Sequence, residues 1–119
     1  MCLITNNNNI IADEPSEISG DDFGFSPYEL VASGLAACTA MTVNLYAKRK
    51  KWNLDEIKVY LTHQKEKIGD EVKDVFTKEL RFTGDLDDSQ RARLVEIAAK
   101  CPVHKTLSTT SSIITSLKK

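Results

Sequence analysis

The chain has 119 residues, of which 41% are hydrophobic and 28% charged, as in a globular protein with a modest core. Its formal net charge of −1 offers no electrostatic attraction to nucleic acid or to an acidic membrane, so neither is predicted as a partner. The N-terminus lacks the basic and then apolar segments of a signal peptide. We therefore expect one domain over residues 1–119 in the cytoplasm, where cysteines are usually thiols or redox groups.

The N-terminal quarter predicts little regular structure. Residues 2–12 have apolar ends around four asparagines, a pattern that predicts either a hairpin or a strand interrupted by a turn. Residues 13–25 are acidic and contain glycine, which indicates a loop. No lysine or arginine precedes Lys48.

A long helix is predicted over Pro27–Lys50. Ser26 can cap it, and Glu29 stands three residues later, as a capping box requires. The uncharged run 30–47 reaches the length of a membrane span, but its many small and polar residues favour a helix buried against a sheet or a second helix. Because this run is apolar nearly all round, we expect two copies of the chain to pack together.

Two strands and two shorter helices complete the predicted α+β pattern. The alternation over residues 57–64 and 76–82 predicts strands, joined by a turn at Gly69-Asp70, and Gly84 is expected to end the second strand. Asp87 or Asp88 can cap a helix over residues 91–100, and residues 111–117 are expected to form a closing strand. The predicted buried stripe of that helix consists of Leu94, Val95, Ile97 and Ala98.

Two of the three cysteines could carry chemistry, since Cys2 stands near a terminus and is expected to be incidental. A cysteine in an apolar helix, such as Cys38, is usually a small core residue, and its apolar neighbours disfavour the thiolate. Cys101 precedes Pro102, which predicts a helix N-terminus, a position that favours the thiolate. A capping cysteine without chemistry is an equal alternative. His104 follows it in C-x-x-H spacing.

Metal binding is not predicted, because C-x-x-H is weak evidence and no second cysteine pair completes a site, even with His63. Glu29 could act as an acid or base toward Cys38. Nine residues at about 100° each, however, place it on the opposite helix face, so capping is favoured. Tyr28 also lies far along the helix axis from Cys38.

Two separated motifs, read as SPYELVASGLAACTAMTVNLYA and CPVHKTL, resemble the OsmC/Ohr family and its OsmC-like branch. The resemblance covers the chain from about residue 13 onward. It implies an α+β OsmC-like fold, with a long central helix packed on antiparallel sheet in an intertwined homodimer. It also implies a thiol peroxidase of the oxidative stress response that reduces organic hydroperoxides or hydrogen peroxide without a cofactor.

The same resemblance implies residue roles. Cys38 would attack the peroxide and become a sulfenic acid, Cys101 would condense with it to a disulfide, and a dithiol reductant would open that disulfide. Tyr28, Glu29 and His104 are candidate supporting residues.

The chain departs from the family pattern at two catalytic positions. Tyr28 stands where the family has its glutamate, ten residues before the helix cysteine, and Glu29 is one place late. The family's arginine comes from N-terminal strands, and this chain is expected to begin short of that region. A non-catalytic module that binds a small apolar or thiol-reactive ligand therefore remains an alternative, as does a structural paralogue.

Overall fold

The computed structural model of the protein describes residues 2–4, 9–11 and 24–118. Its elements are β1 (Cys2–Ile4), β2 (Asn9–Ile11), α1 (Pro27–Lys50), β3 (Asn53–Ile68), β4 (Glu71–Asp85), α2 (Asp88–Ala98) and α3 (Pro102–Leu107). The predicted α+β class is confirmed. The chain divides into two compact units, one with residues up to Gly34 and Tyr60–Lys78, the other with Leu35–Val59 and the residues from Glu79 onward.

In the first unit, β1 and β2 pair as an antiparallel two-stranded sheet. Leu3 lies opposite Ile10, and Ile4 lies opposite Asn9. Of the two predicted alternatives, this antiparallel pairing of the described residues matches the hairpin. Most of the predicted acidic loop, residues 13–23, lies outside them.

The start of α1 carries the predicted capping box. The backbone N–H of Ser26 donates to Glu29 Oε1 at 3.0 Å, and the N–H of Glu29 donates to Ser26 Oγ at 3.3 Å. These bonds favour the charged carboxyl, and the backbone N–H of Ser26 is the main reason that the pKa of Glu29 is lowered from 4.5. Capping of α1 therefore explains why a glutamate stands at position 29.

The other end of α1 closes with a Schellman motif. The N–H of Trp52 donates to the carbonyl of Ala47 at 2.9 Å, and the N–H of Lys51 donates to that of Lys48 at 3.1 Å. Lys51 has φ of 60°, the left-handed conformation that glycine usually supplies here. A lysine thus occupies a position that strains its backbone.

Only one narrow stripe of α1 is buried within the chain. It consists of Leu35, Thr39, Val43 and Ala47. On other faces Met41 and Leu45 are 70% and 58% exposed within the single chain, where burial against a sheet or a second helix was predicted. By length and composition α1 is apolar enough to cross a membrane, a test that core helices of globular proteins also pass.

The strands β3 and β4 form an antiparallel two-stranded sheet around the predicted turn at Gly69-Asp70. Both are longer than predicted, and Gly84 lies inside β4 instead of ending it. Gly84 has φ of 145°, and a Cβ there would collide with the backbone carbonyl of Asn53. Glycine therefore lets β4 approach the start of β3 closely.

The helix α2 begins at Asp88, three residues before the predicted start. The N–H of Gln90 donates to Asp87 Oδ1 at 2.7 Å, and the N–H of Asp87 donates to Gln90 Oε1 at 2.9 Å, so Asp87 is the cap. Three of the four predicted stripe residues are buried, but Val95 is 53% exposed and was wrongly included. The core cluster of the second unit contains Val43, Ala47, Leu86, Leu94, Ile97 and Ala98.

The connection from β4 to α2 is held by Arg91. Its guanidinium donates to the carbonyl of Phe82 at 2.8 Å, of Gly84 at 3.1 Å and of Leu86 at 3.3 Å. A planar guanidinium has enough donors to serve three acceptors at once. One side chain thus satisfies three backbone carbonyls, at the end of β4 and in the connection that follows it.

The predicted closing strand at residues 111–117 is wrong for this chain. Residues 110–118 form neither helix nor strand, and Ile113 and Ile114 are 91% and 93% exposed. A strand requires a neighbour for its backbone hydrogen bonds, and among the described residues the only sheets are β1 with β2 and β3 with β4.

Candidate functional site

Cys101 is the N-cap residue of α3, as the sequence predicted. Its backbone is extended, with φ of −67° and ψ of 143°, and Pro102 occupies the first turn. The sulfur accepts a hydrogen bond from the backbone N–H of His104 at 3.1 Å. The capping position of Cys101, which follows from its adjacent residues, therefore places its sulfur within hydrogen-bond distance of the His104 backbone N–H.

A second donor reaches the same sulfur from α1. Thr39 Oγ1 donates to Cys101 Sγ across 3.6 Å, and both residues are completely buried. Both hydrogen bonds gain strength when the sulfur carries negative charge, because an ionised acceptor binds donors more tightly. The two donors therefore oppose the effect of complete burial, which by itself disfavours a charged sulfur.

Cys38 lies on α1 directly before Thr39 and is partly buried. The hydroxyl of Thr42 donates to its backbone carbonyl at 2.8 Å. Cys38 and Cys101 are both free thiols in this structure. The Thr39 contact brings the two cysteines to the same part of the second unit, although the contacting residues are 62 positions apart.

His104 contributes to this site through its backbone. Its N–H serves the Cys101 sulfur, and its carbonyl accepts hydrogen bonds from the backbone N–H of Ser108 at 3.1 Å and from the hydroxyl of that serine at 2.7 Å. The contact of His104 with the Cys101 sulfur therefore uses a group that every residue except proline has. Its imidazole is not what touches the sulfur in this contact.

The remaining candidate residues lie in the first unit. Glu29 caps α1, as described above. The Tyr28 ring stacks on the His63 ring, with centroids 4.3 Å apart, and Lys65 Nζ lies 5.8 Å from the centre of the Tyr28 ring. Tyr28 is thus held in a cluster of side chains from β3.

His63 also bonds to β4. Its Nε2 lies 2.8 Å from Asp74 Oδ1, and its ring centroid lies 4.8 Å from that of Phe76. The hydrogen bond with His63 is the main reason that the pKa of Asp74 is lowered from 3.8, and the charge of Lys65 adds to it. We refer to Tyr28, His63, Lys65, Asp74 and Phe76 as the histidine cluster.

Sequence reasoning considered His63 only as a possible zinc ligand and missed Asp74. A signal was present, because residues equally distant from the Gly69-Asp70 turn face each other in a hairpin. That rule pairs His63 with Phe76 and Lys65 with Asp74. Among the residues that the structure describes, no group of three or more His, Cys, Asp or Glu side chains could hold a metal ion.

Comparison with known proteins identifies similar chains. The family model for OsmC-like proteins matches residues 19–116. A search of curated protein sequences gives no match.

Solved structures share the fold. A Psychrobacter arcticus protein named for osmotic stress and a detoxification response is 27% identical, with a TM-score of 0.71 over 84% of this chain and 72% of its own. An organic hydroperoxide resistance protein of Vibrio cholerae, with captopril in one of its active sites, is 25% identical, with a TM-score of 0.65 over 85% and 70%. The Bacillus subtilis organic hydroperoxide resistance protein OhrB is 29% identical, with a TM-score of 0.57 over 71% and 64%.

Proposed function

Because the chain belongs to the family of OsmC-like proteins, we propose that it is a cysteine-based peroxidase that reduces organic hydroperoxides or hydrogen peroxide. Solved structures of hydroperoxide resistance proteins in this family support a redox or stress role. In the proposal Cys38 attacks the peroxide and Cys101 resolves the product. The observation that carries it is the hydrogen bond from Thr39, the neighbour of Cys38, to the sulfur of Cys101.

The first step oxidises Cys38. Its thiolate attacks one peroxide oxygen, so that an S–O bond forms and the O–O bond breaks. The departing alkoxide, or hydroxide when the substrate is hydrogen peroxide, takes up a proton and leaves as an alcohol or as water. Two electrons pass from the sulfur to the peroxide. The product at Cys38 is a sulfenic acid, the reversible first stage of thiol oxidation.

The second step involves Cys101. Its thiolate attacks the sulfenic sulfur, an S–S bond forms, the S–O bond breaks, and the departing hydroxide takes up a proton to become water. A dithiol reductant then returns two electrons by thiol–disulfide exchange. The backbone donor and the Thr39 hydroxyl both favour the thiolate that this step requires. The identity of the reductant and the cytoplasmic location stay predictions.

One observation favours a second candidate function. Tyr28, at the position of the family's catalytic glutamate, stacks on His63 and supplies no carboxylate. A small-molecule-binding or structural paralogue would tolerate that change, whereas a peroxidase would have to react without the glutamate carboxylate. A related Vibrio cholerae protein holds captopril in an active site, which makes a binding role chemically plausible for this fold.

We also infer that the functional unit is a homodimer. Met41 and Leu45 leave an apolar part of α1 exposed, and the tail exposes Ile113 and Ile114. Exposure of so many large apolar side chains is characteristic of a surface that another chain covers. A second copy of this chain fits, because such faces are alike on both copies and can pack on each other.

The peroxidase proposal is tested by mapping disulfides. Protein carrying Cys2→Ser, which removes intermolecular bridging through that residue, is treated with one equivalent of cumene hydroperoxide and digested without reduction. The expected product is a peptide that joins Cys38 to Cys101, absent when either Cys38→Ser or Cys101→Ser is added. Overoxidation of Cys38 with Cys101 still free, or no reaction at either thiol, would rule out the two-cysteine cycle. The second of these results favours the binding function.

A further inference from the structure

We propose that Thr39 raises the reduction potential of the Cys38–Cys101 pair, through a hydrogen bond that is strong only while Cys101 is reduced. The inference rests on the proposed two-cysteine function and adds a residue that tunes it. Thr39 is a positioning residue in this role, because it acts on the resolving sulfur and touches no substrate.

The placement of Thr39 requires an explanation. Among the described residues it is the one fully buried polar side chain, and its neighbours in the buried stripe of α1 are Leu35, Val43 and Ala47. Burying a hydroxyl among apolar side chains destabilises a fold unless the hydroxyl is hydrogen-bonded. The contact of Thr39 Oγ1 with Cys101 Sγ meets that need. An alanine or valine at this position would fit the apolar stripe and would need no hydrogen-bond partner.

The strength of this contact depends on the oxidation state of Cys101. A thiolate sulfur is a charged acceptor, and a charge-assisted hydrogen bond is about twice as strong as a neutral one. A disulfide sulfur carries no charge. Oxidation therefore weakens the Thr39 bond.

The thermodynamic consequence has a definite sign. Oxidation of a Cys101 thiolate and a Cys38 thiol removes two electrons and one proton and forms one S–S bond. An interaction that stabilises only the reduced pair makes the disulfide easier to reduce, and so raises the reduction potential. Thr39 thus assists the step in which a dithiol reductant regenerates the protein.

The test measures that potential in the Cys2→Ser background. Wild-type protein and Thr39→Val are equilibrated with mixtures of reduced and oxidised dithiothreitol, and free thiols are alkylated and counted by mass spectrometry. Thr39→Val removes the hydroxyl at nearly constant volume. We expect it to favour the disulfide by about threefold to tenfold, a potential more negative by about 15–30 mV. Thr39→Ser keeps the hydroxyl and is expected to retain the wild-type value.

Thr42→Val is the matched control. It makes the same chemical change one turn along the same helix, at a hydroxyl that bonds to the backbone carbonyl of Cys38 and not to a sulfur. Its potential should equal that of wild type. If Thr39→Val does not fold, Thr39→Ala is measured in its place, and its potential is expected to be more negative by the same amount.

Two results would overturn the inference. An unchanged potential in the hydroxyl-free variants, or an equal shift in Thr39→Ser, shows that the hydroxyl does not tune the pair, and leaves the two-cysteine function standing. Absence of any Cys38–Cys101 disulfide in the wild-type protein, at every dithiothreitol ratio, overturns both the inference and the function on which it rests.

Discussion

The rings of Tyr28 and His63 lie face to face, 4.3 Å apart between centroids and within 10° of parallel. By family resemblance, the position of Tyr28 should hold a catalytic glutamate. Here it presents an aromatic face to His63 on β3 and supplies no carboxylate. In this structure the Tyr28 side chain packs within the histidine cluster, and the proposed reaction is assigned to the two cysteines.

The histidine cluster predicts a loss of stability in acid. The pKa of Asp74 is lowered in the fold from its ordinary value of 3.8, mainly by the hydrogen bond with His63. The carboxylate therefore stabilises the folded state above pH 3.8, and this contribution disappears as the pH falls through the lowered pKa. Melting temperatures recorded from about pH 5 to pH 2 should fall less steeply for Asp74→Asn than for wild type.

Asp70→Asn provides the control for that measurement. It removes a carboxylate from the hairpin turn, outside the histidine cluster, and should keep the wild-type acid dependence. Equal acid dependence in Asp74→Asn and wild type would show that the His63–Asp74 bond contributes nothing to folding.

Lys51→Gly should stabilise the protein. Lys51 adopts φ of 60° in the Schellman motif, a conformation that costs a non-glycine residue about 1 kcal/mol. Glycine removes that cost, partly offset by its greater freedom when unfolded, so a gain of about 0.5 kcal/mol is expected in urea denaturation. Lys48→Gly, the same change inside the helix, should instead destabilise by about 0.5–1 kcal/mol. A destabilised Lys51→Gly would contradict the assigned conformation.

Gly84→Ala should destabilise severely. Its φ of 145° is rare for residues with a side chain, and its Cβ would strike the backbone of Asn53. Because backbone cannot move aside as a flexible side chain does, we expect a loss of about 3 kcal/mol or more, measured by thermal or urea unfolding. Thr83→Ala, at the exposed neighbouring position, should change stability by less than about 1 kcal/mol. A mild effect of Gly84→Ala would mean that β3 and β4 are farther apart.

The homodimer proposal is tested by sedimentation at micromolar concentration. The expected species has twice the chain mass of 13.3 kDa. Met41→Glu and Leu45→Glu each place a charge on the exposed face of α1 and should shift the protein to monomer, because burying an unpaired charge opposes association. Val95→Glu, on an exposed part of α2, should leave the dimer intact. Wild-type protein that sediments as a single chain would refute the proposal.

The sequence predicts the elements whose signals are local. Both ends of α1 follow from adjacent residues, the Ser26–Glu29 box at one end and the basic run at the other, and the observed bounds match. The capping position of Cys101 follows equally directly, since Pro102 disfavours a helical residue before it. Such signals act within one helical turn, so they can be read without knowing the rest of the fold.

Features that depend on distant contacts could not be read in this way. The Thr39–Cys101 bond joins residues 62 positions apart, and a threonine in an apolar helix gives no sign of its partner. Gly84 resembles a strand terminator until Asn53 is seen beside it. Val95 matched a helical stripe, but the side of α2 that is buried depends on where α1 packs.

The three hydrogen bonds of Arg91 make the end of β4 and the start of α2 a cooperative folding unit. The carbonyls of Phe82, Gly84 and Leu86 cannot separate from α2 without releasing the same guanidinium. Segments that open together exchange their protected amide hydrogens with a common free energy of opening. The protected amides at the end of β4 and at the start of α2 should therefore exchange with deuterium at a common rate. In Arg91→Lys the two groups of amides should exchange at different rates.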